Sequence, residues 1–279
     1  MRIDVHAHYW TDDYLDLLGD LGNADVAAVR GIGAGDGAEL AARLRLMDRA
    51  GIQMQVLSAC PQSPYGEDAV QATKAARFVN DQYAELAAAA DADPVRFRLA
   101  HLTDPRARQV LTQAADMAGW GTRARRAGTG YGAGVARYSG VAGYCAAVAE
   151  VEADTDIRVR RLWLAVDVGR VINPDGVINQ VEGGAVQSAS WTLREQVRFD
   201  RDRITSAGWD SYPILRFTET PEVTVRIVGA PGEAEVGAGE IAQGPVAGAI
   251  GNAVADAVGV RVRDLPLTRD RVARAIEES

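Results

Sequence analysis

Apolar and polar positions recur with two different periods along this chain, and the change of period divides it. Met1 to Val5 reads as a short strand that runs into His6-Ala7-His8. Thr11, followed by Asp12 and Asp13, opens a helix, and Glu39 to Ala50 sets Leu40, Leu44 and Met47 on one stripe with Gly51 as its stop. Ile52 to Ala59 is a second strand, Glu67 to about Ala90 a long helix, and Arg96 to His101 alternates as a third strand. Strands alternating with helices in this way predict parallel pairing through right-handed crossovers.

From Asp104 the pattern is different. Arg106 to Ala118 reads as a helix ended by Gly119, and Thr122 to Gly134 as a connector rich in glycine and arginine. Two strands, Tyr144 to Glu152 and Arg158 to Val168, are spaced as a hairpin through Asp154-Thr155-Asp156. Ile178 to Gln196 has helical periodicity despite Gly183-Gly184, a pair that costs roughly 2 kcal/mol relative to alanines and therefore suggests close approach by a backbone or a ligand. Val197 to Arg203, Tyr212 to Phe217 and Val223 to Val228 read as further strands, and Pro245 to Val258 as the last buried helix. The predicted fold is mixed α+β: a partial β/α-barrel-like βαβαβ segment over residues 1–102, then an α+β segment with a mostly antiparallel sheet over 103–279.

Composition narrows the function classes. A chain of 279 residues with 47% hydrophobic content can bury a sizeable core. Its net charge of −8, with no compensating arginine or lysine cluster, argues against a nucleic-acid partner. Cys60 and Cys145 stand far apart, so neither a disulfide scaffold nor an iron-sulfur site is encoded. The opening residues are too polar for a signal peptide and no apolar run approaches the ~20 residues of a membrane span, which predicts a soluble, cytoplasmic protein.

Three stretches could carry chemistry. In Gly229 to Ala253, Glu240 sits in a glycine-rich loop just before a helix whose free N-H groups and positive dipole end would welcome an anion, while Gly237 and Gly239 let a ligand approach the backbone. Taken alone, the same pattern favours a solvated or helix-capping carboxylate. His6 and His8, two apart on a strand, face one way and could share a metal ion, although two imidazoles fall short of the three ligands usual at a catalytic zinc. Gly31 to Gly37 only approximates a dinucleotide fingerprint, because Asp36 stands where the third glycine belongs. Cys145, with no histidine nearby in sequence, reads as a small buried hydrophobe.

Asp167-Val-Gly-Arg-Val-Ile-Asn-Pro-Asp-Gly176, Asn179-Gln-Val-Glu-Gly-Gly-Ala-Val-Gln-Ser188 and the Glu240 stretch occur in this order and spacing, along with RFRLAHLTDPRARQVL, AGYCAAVAEVE, SWTL and SYPILRF. Together they resemble the C-terminal part of the molybdopterin-binding subunit of the xanthine dehydrogenase and aldehyde oxidase family, of the isoquinoline 1-oxidoreductase type, over about residues 97–279. The resemblance implies a molybdenum hydroxylase that oxidises a small N-heterocycle or aldehyde. It further implies Glu240 as base, Gly183, Gly184, Gln187, Gly237 and Gly239 beside the cofactor, and an iron-sulfur small subunit as partner. The implied cofactor is molybdenum-molybdopterin, the cytosine dinucleotide being one of its forms. The family's preceding pterin-binding domain has no counterpart before Arg106. Residues 1–102, through His6-x-His8, LMDRAGIQMQVLSA and AARFVNDQYAELAAA, resemble instead the opening of the metal-dependent amidohydrolases of the aminocarboxymuconate-semialdehyde decarboxylase type. That resemblance implies zinc or another divalent metal on His6 and His8, and an incomplete barrel. Three readings therefore stand: a molybdenum hydroxylase subunit or fragment, an amidohydrolase or decarboxylase, and a non-catalytic fused remnant.

Overall fold

The structure, a computed structural model, describes residues 3–8, 11–20, 41, 44–45, 49, 54–58, 69–124, 126–138, 143–201, 203–206, 208–229 and 232–279. The chain forms two compact units, Met1–Ala75 and Ala76–Ser279. The first holds β1 (Ile3–His8), α1 (Asp12–Asp20) and β2 (Met54–Ser58). β1 and β2 pair in parallel, His8 opposite Ser58, as strand-helix alternation requires. Thr11 starts α1 by accepting the Tyr14 N-H at 3.2 Å, and Tyr14, Leu15 and Leu18 form its buried stripe. The described residues of the expected 39–50 helix, 41, 44, 45 and 49, are helical, but Leu44 is exposed. Leu40, Met47, the 31–37 glycine run and Cys60 lie outside the described residues.

The second unit takes in α2 (Ala69–Ala89) from Ala76 onward and continues with α3 (Pro94–His101) and α4 (Pro105–Met117). There follow β3 (Thr129–Tyr138), β4 (Gly143–Ala153), β5 (Ile157–Asp167), α5 (Pro174–Leu193), β6 (Glu222–Ile227), α6 (Gln243–Val258) and α7 (Arg269–Glu277). Three of these helices start by one device. Asp93 and Asp104 each accept two backbone N-H groups of the first turn and Asn173 accepts that of Gly176, and each is followed by a proline whose missing N-H is no loss there. That device overturns the expected third strand: Arg96 to His101 is helical because Asp93 Oδ1 binds the N-H groups of Val95 and Arg96 at 3.0 and 2.9 Å.

The sheet runs β3-β4-β5-β6, antiparallel at the first two junctions and parallel at the last. β4 and β5 form the hairpin that their spacing predicts, turning through Asp154 to Asp156. β4 is buried on both faces and its side chains divide with period two. Cys145, Ala147, Ala149 and Val151 face a core shared with α5 and α6, whereas Tyr144, Ala146 and Val148 face Val110, Leu111, Ala114 and Ala115 of α4. The sheet is thus covered by α4 on one side and by α5 and α6 on the other. Val246, Ile250 and Val254 anchor α6, each worth about 1.5–3 kcal/mol of apolar burial.

The expected connector over Thr122 to Gly134 is half strand. A Cβ placed on Gly130, Gly132 or Gly134 would lie 2.0, 2.2 or 2.2 Å from the carbonyl oxygens of Ala253, Ala249 and Pro245, so these alternating glycines let the α6 backbone rest on β3. The outer edge of β3 is closed by side chains. Asn80 exchanges two hydrogen bonds with the Val135 backbone, at 3.0 and 3.1 Å, Asn252 Nδ2 donates to the Ala133 carbonyl at 2.9 Å, and Asp256 accepts the Tyr131 N-H at 2.9 Å.

Two other expected strands do not form. Among the described residues, Val197 to Arg203 contributes a single bridge, Phe199 to Ile204, and Tyr212 to Phe217 ends in a 3-10 turn, Phe217–Glu219. Leu215 packs against the core, but Phe199 is 77% exposed and Phe217 fully so, and an alternating pattern without a sheet to cover gains nothing by pairing. β6 forms as expected, α7 has no counterpart among the expected elements, and the last long helix begins at Gln243 rather than Pro245. Among the described residues no helix is long and apolar enough to cross a membrane.

Candidate functional site

The Glu240 segment enters α6 beside the middle of α5. Val181, Ala185 and Ala189 turn inward toward the sheet, which leaves Gly183, Gly184 and Gln187 on the flank of α5 nearest the loop. Gly184 is buried there: a Cβ on it would lie 3.1 Å from the Gly239 carbonyl oxygen and 3.6 Å from Ala242 Cβ. Gly239 in turn backs onto Gln180, 3.3 Å from its Oε1 by the same measure. The Ser188 hydroxyl donates to the Gln243 carbonyl at 2.9 Å, and Gln243 Nε2 donates to Gln187 Oε1 at 3.3 Å. Gly183 and Gly237 are open, with no atom within 4 Å of a Cβ placed on either.

Of the residues singled out in the sequence, the structure therefore brings Gly184 to Gly239 and Gln187 to the start of α6. The Glu240 carboxylate goes elsewhere. Its residue is exposed, and Oε2 accepts a hydrogen bond from the Tyr138 hydroxyl at 3.2 Å, at the end of β3. The Glu240 carbonyl accepts the Gln243 N-H at 3.1 Å, which holds the main chain at the helix start. A cavity of about 510 Å³ is lined by Asp93, Arg96, Trp120 and Arg123 among others, and Glu240 is not part of its lining.

Two members of this neighbourhood are not legible in the sequence. Tyr138 closes a strand whose glycines read as a connector, and Gln243 sits before the proline expected to open the helix. Gln243 is 5% exposed, and its Oε1 is a buried acceptor without a hydrogen-bond donor among the described residues. A buried amide oxygen left unpaired costs about 1–3 kcal/mol, so the site contains an acceptor waiting for a donor.

The remaining candidates resolve differently. His6 and His8 lie on β1 at its parallel junction with β2, while their imidazoles lie outside the described side chains. Among the described residues no group of three or more histidine, cysteine, aspartate or glutamate side chains is placed to hold a metal ion. Cys145 is a free, fully buried thiol whose pKa is pushed up by that burial, in keeping with a packed hydrophobe. His101 ends α3, its Nδ1 2.7 Å from the Phe97 carbonyl oxygen.

This arrangement of an α5 flank, a glycine-rich loop and a helix start is carried by a chain whose residues 62–221 match the molybdopterin cofactor-binding domain, and the chain belongs to that family. Among individual proteins it is 40% identical over 217 residues to a subunit of the nicotinate dehydrogenase of Pseudomonas putida, covering 71% of this chain and 18% of that protein. It is 37% identical over 187 residues to a subunit of the isoquinoline 1-oxidoreductase of Brevundimonas diminuta, covering 66% and 24%. Of solved structures, quinoline 2-oxidoreductase from Pseudomonas putida 86 aligns at 31% identity and a TM-score of 0.44, over 49% of this chain and 18% of that one. The chain spans about a fifth of the length of these relatives. The family match runs over residues 62–221 and contains α3, and the division between compact units falls after Ala75.

Proposed function

We propose that this chain is the part of a molybdenum hydroxylase that holds molybdopterin between the flank of α5 and the Gly237 to Gln243 segment, with Glu240 as the base. The observation that carries this reading is the meeting of Gly184 with Gly239 and of Gln187 with Gln243, which joins two segments that the sequence marks separately. The residues present suit the group. A pterin edge offers N-H donors and ring acceptors, and the amides of Gln187 and Gln243 can answer both, the orphaned Gln243 Oε1 first. Open glycines at 183 and 237 leave room for close approach, and the α6 N-terminus favours an anionic end. When bound, the cofactor supplies the two-electron oxidation of a carbon beside a ring nitrogen or of an aldehyde carbon. Glu240 would accept a proton at its exposed carboxylate, which lies beside Tyr138 at the end of β3 and not beside Gln187.

The names of the two sequence relatives, nicotinate dehydrogenase and isoquinoline 1-oxidoreductase, support a small N-heterocycle over an aldehyde as substrate. An iron-sulfur small subunit as electron acceptor, the cytosine dinucleotide form of the cofactor and a cytoplasmic location belong to the same proposal. A metal-dependent amidohydrolase is the second reading, and for the first compact unit alone: the parallel β1-β2 pair with His6 and His8 is the observation in its favour. Metal analysis of the protein purified with its partner separates these readings, molybdenum with pterin supporting the first, stoichiometric zinc or manganese the second, and neither a fused remnant. In the molybdenum-loaded assembly Glu240→Gln is expected to lower turnover by at least ~100-fold with cofactor content unchanged. Near-normal turnover would remove Glu240 from the mechanism.

A further inference from the structure

The segment that carries Glu240 is gripped at its other end by a turn that follows β5. Asp167, the last residue of that strand, is 1% exposed. Its carboxylate receives a two-pronged hydrogen bond from Arg106 of α4, Nε to Oδ2 at 2.7 Å and Nη2 to Oδ1 at 2.8 Å, and a third from the Gly169 N-H at 2.9 Å. That third bond folds the chain back at Gly169, whose φ of +66° is the left-handed region that glycine tolerates best. The folded turn then pairs with the Glu240 segment. The Arg170 N-H donates to the Glu233 carbonyl and the Val236 N-H to the Val168 carbonyl, both at 3.1 Å. Between these bonds the fit is tight, because a Cβ on Gly169 would lie 2.0 Å from the Ala234 carbonyl oxygen.

Charge reinforces the same junction. Arg106 Nη1 stands 3.6 Å from Glu233 Oε2, so a single guanidinium faces both Asp167 and the loop. Arg170 Nη2 meets Glu235 Oε2 at 2.7 Å, although this pair is exposed and adds little by itself. Hydrogen bonding to Asp167 raises the Arg106 guanidinium above its ordinary value, so it is a fixed cation at every working pH. Asp104, which starts the helix that carries Arg106, also accepts the Tyr144 hydroxyl at 2.6 Å, and burial with that bond pushes the phenol up to about 12. The segment is thus held at Glu233 to Val236 by the 167–170 turn and at Glu240 by the α6 start and Tyr138. Only the three residues Gly237 to Gly239 lie between the two anchors.

We propose that Asp167, acting through Arg106 and the Gly169 turn, is a positioning residue that sets where the Glu240 segment lies. Asp167 touches neither Glu240 nor a reacting atom. It fixes one end of the short span whose other end carries the base, and for that consequence it rests on the reading of Glu240 given above. The grip itself concerns this chain alone and can be measured without cofactor.

The experiment is hydrogen exchange on the full chain, comparing the wild type with Asp167→Asn, which keeps the shape of the side chain and removes the charge that holds Arg106. The Arg170 and Val236 amides, which donate the two backbone bonds of the junction, are expected to exchange at least ~10-fold faster in the variant, while the β4 and β5 amides keep their protection and report an intact sheet. Unchanged exchange at Arg170 and Val236 overturns the grip, whatever the cofactor does. Should Asp167→Asn fail to fold, Arg106→Lys asks the same question, since lysine keeps the charge and loses the two-pronged geometry. In the assembly that carries molybdenum and pterin, Asp167→Asn is expected to lower kcat about 10-fold with KM and molybdenum content within about twofold of wild type. A loss of molybdenum in step with activity makes Asp167 structural only and overturns the positioning role. Exchange that quickens in a protein that never binds molybdenum leaves the grip standing and defeats the cofactor reading alone.

Discussion

Two sets of glycines in this protein have opposite surroundings. In β3, the positions that a Cβ would take on Gly130, Gly132 and Gly134 are already occupied by the α6 backbone. Around the Glu240 segment, Gly229, Gly232 and Gly237 have nothing within 4 Å of such an atom. The first set is a packing surface, on which the absent side chain is replaced by another main chain. The second leaves space unfilled by the protein's described atoms, and unfilled space beside a helix N-terminus is the physical basis for placing a cofactor there. Gly183 and Gly184 show the division within one pair of neighbours: Gly184 is buried against Gly239, and Gly183 is open.

The contrast can be broken most easily at Gly132. A methyl group there would sit 2.2 Å from both the Ala249 carbonyl oxygen and the Ala253 nitrogen, neither of which can move without shifting α6. Gly132→Ala is expected to cost at least ~3 kcal/mol in urea unfolding, at or beyond the upper end of ordinary overpacking. A loss below ~1 kcal/mol would mean that α6 does not rest on β3 as described.

Asn80→Ala probes the same strand from its edge. It leaves the Val135 N-H and C=O without the side chain that binds both, and a cost of about 1–3 kcal/mol is expected from the same unfolding experiment. The smallest stability effect is expected at Gly237. Gly237→Ala should change unfolding free energy by no more than ~0.5 kcal/mol, yet lower molybdenum retention in the loaded assembly. A stability loss as large as that of Asn80→Ala would show that the loop glycines are packing glycines too, and the comparison would collapse.

How much of this is readable in the sequence depends on how far each signal reaches. Asp93-Pro94, Asp104-Pro105 and Asn173-Pro174 are helix starts that act within one turn, and the one at Asp93 is obscured by the strand-like alternation of Arg96 to His101. The Asp154 to Asp156 turn and the β4-β5 hairpin are legible for the same local reason. The Gly-x-Gly-x-Gly alternation at 130, 132 and 134 is visible as well, but its meaning is not. A glycine-rich strand has little preference of its own, and this one is stabilised by the Pro245, Ala249 and Ala253 face of a helix far along the chain.

The candidate site divides along the same line. The glycine-rich loop around Glu240 and the Gly183-Gly184 pair stand out in the sequence as local features, whereas Gln187 and the roles of all these residues come from the family resemblance. Which of them meet was decided by tertiary packing, through the burial of Val181 and Ala185 against the sheet and the bond from Ser188 to the Gln243 carbonyl. Tyr138 beside Glu240, Gln243 beside Gln187 and Asp167 beside Arg106 are long-range pairs, and no periodicity encodes them. Chain-local chemistry determined the helix starts and turns, since caps, turns and glycine freedom act over a few positions. The fold determined which residues meet, because the packing that joins α5, β3 and the start of α6 is settled only when all three share one core.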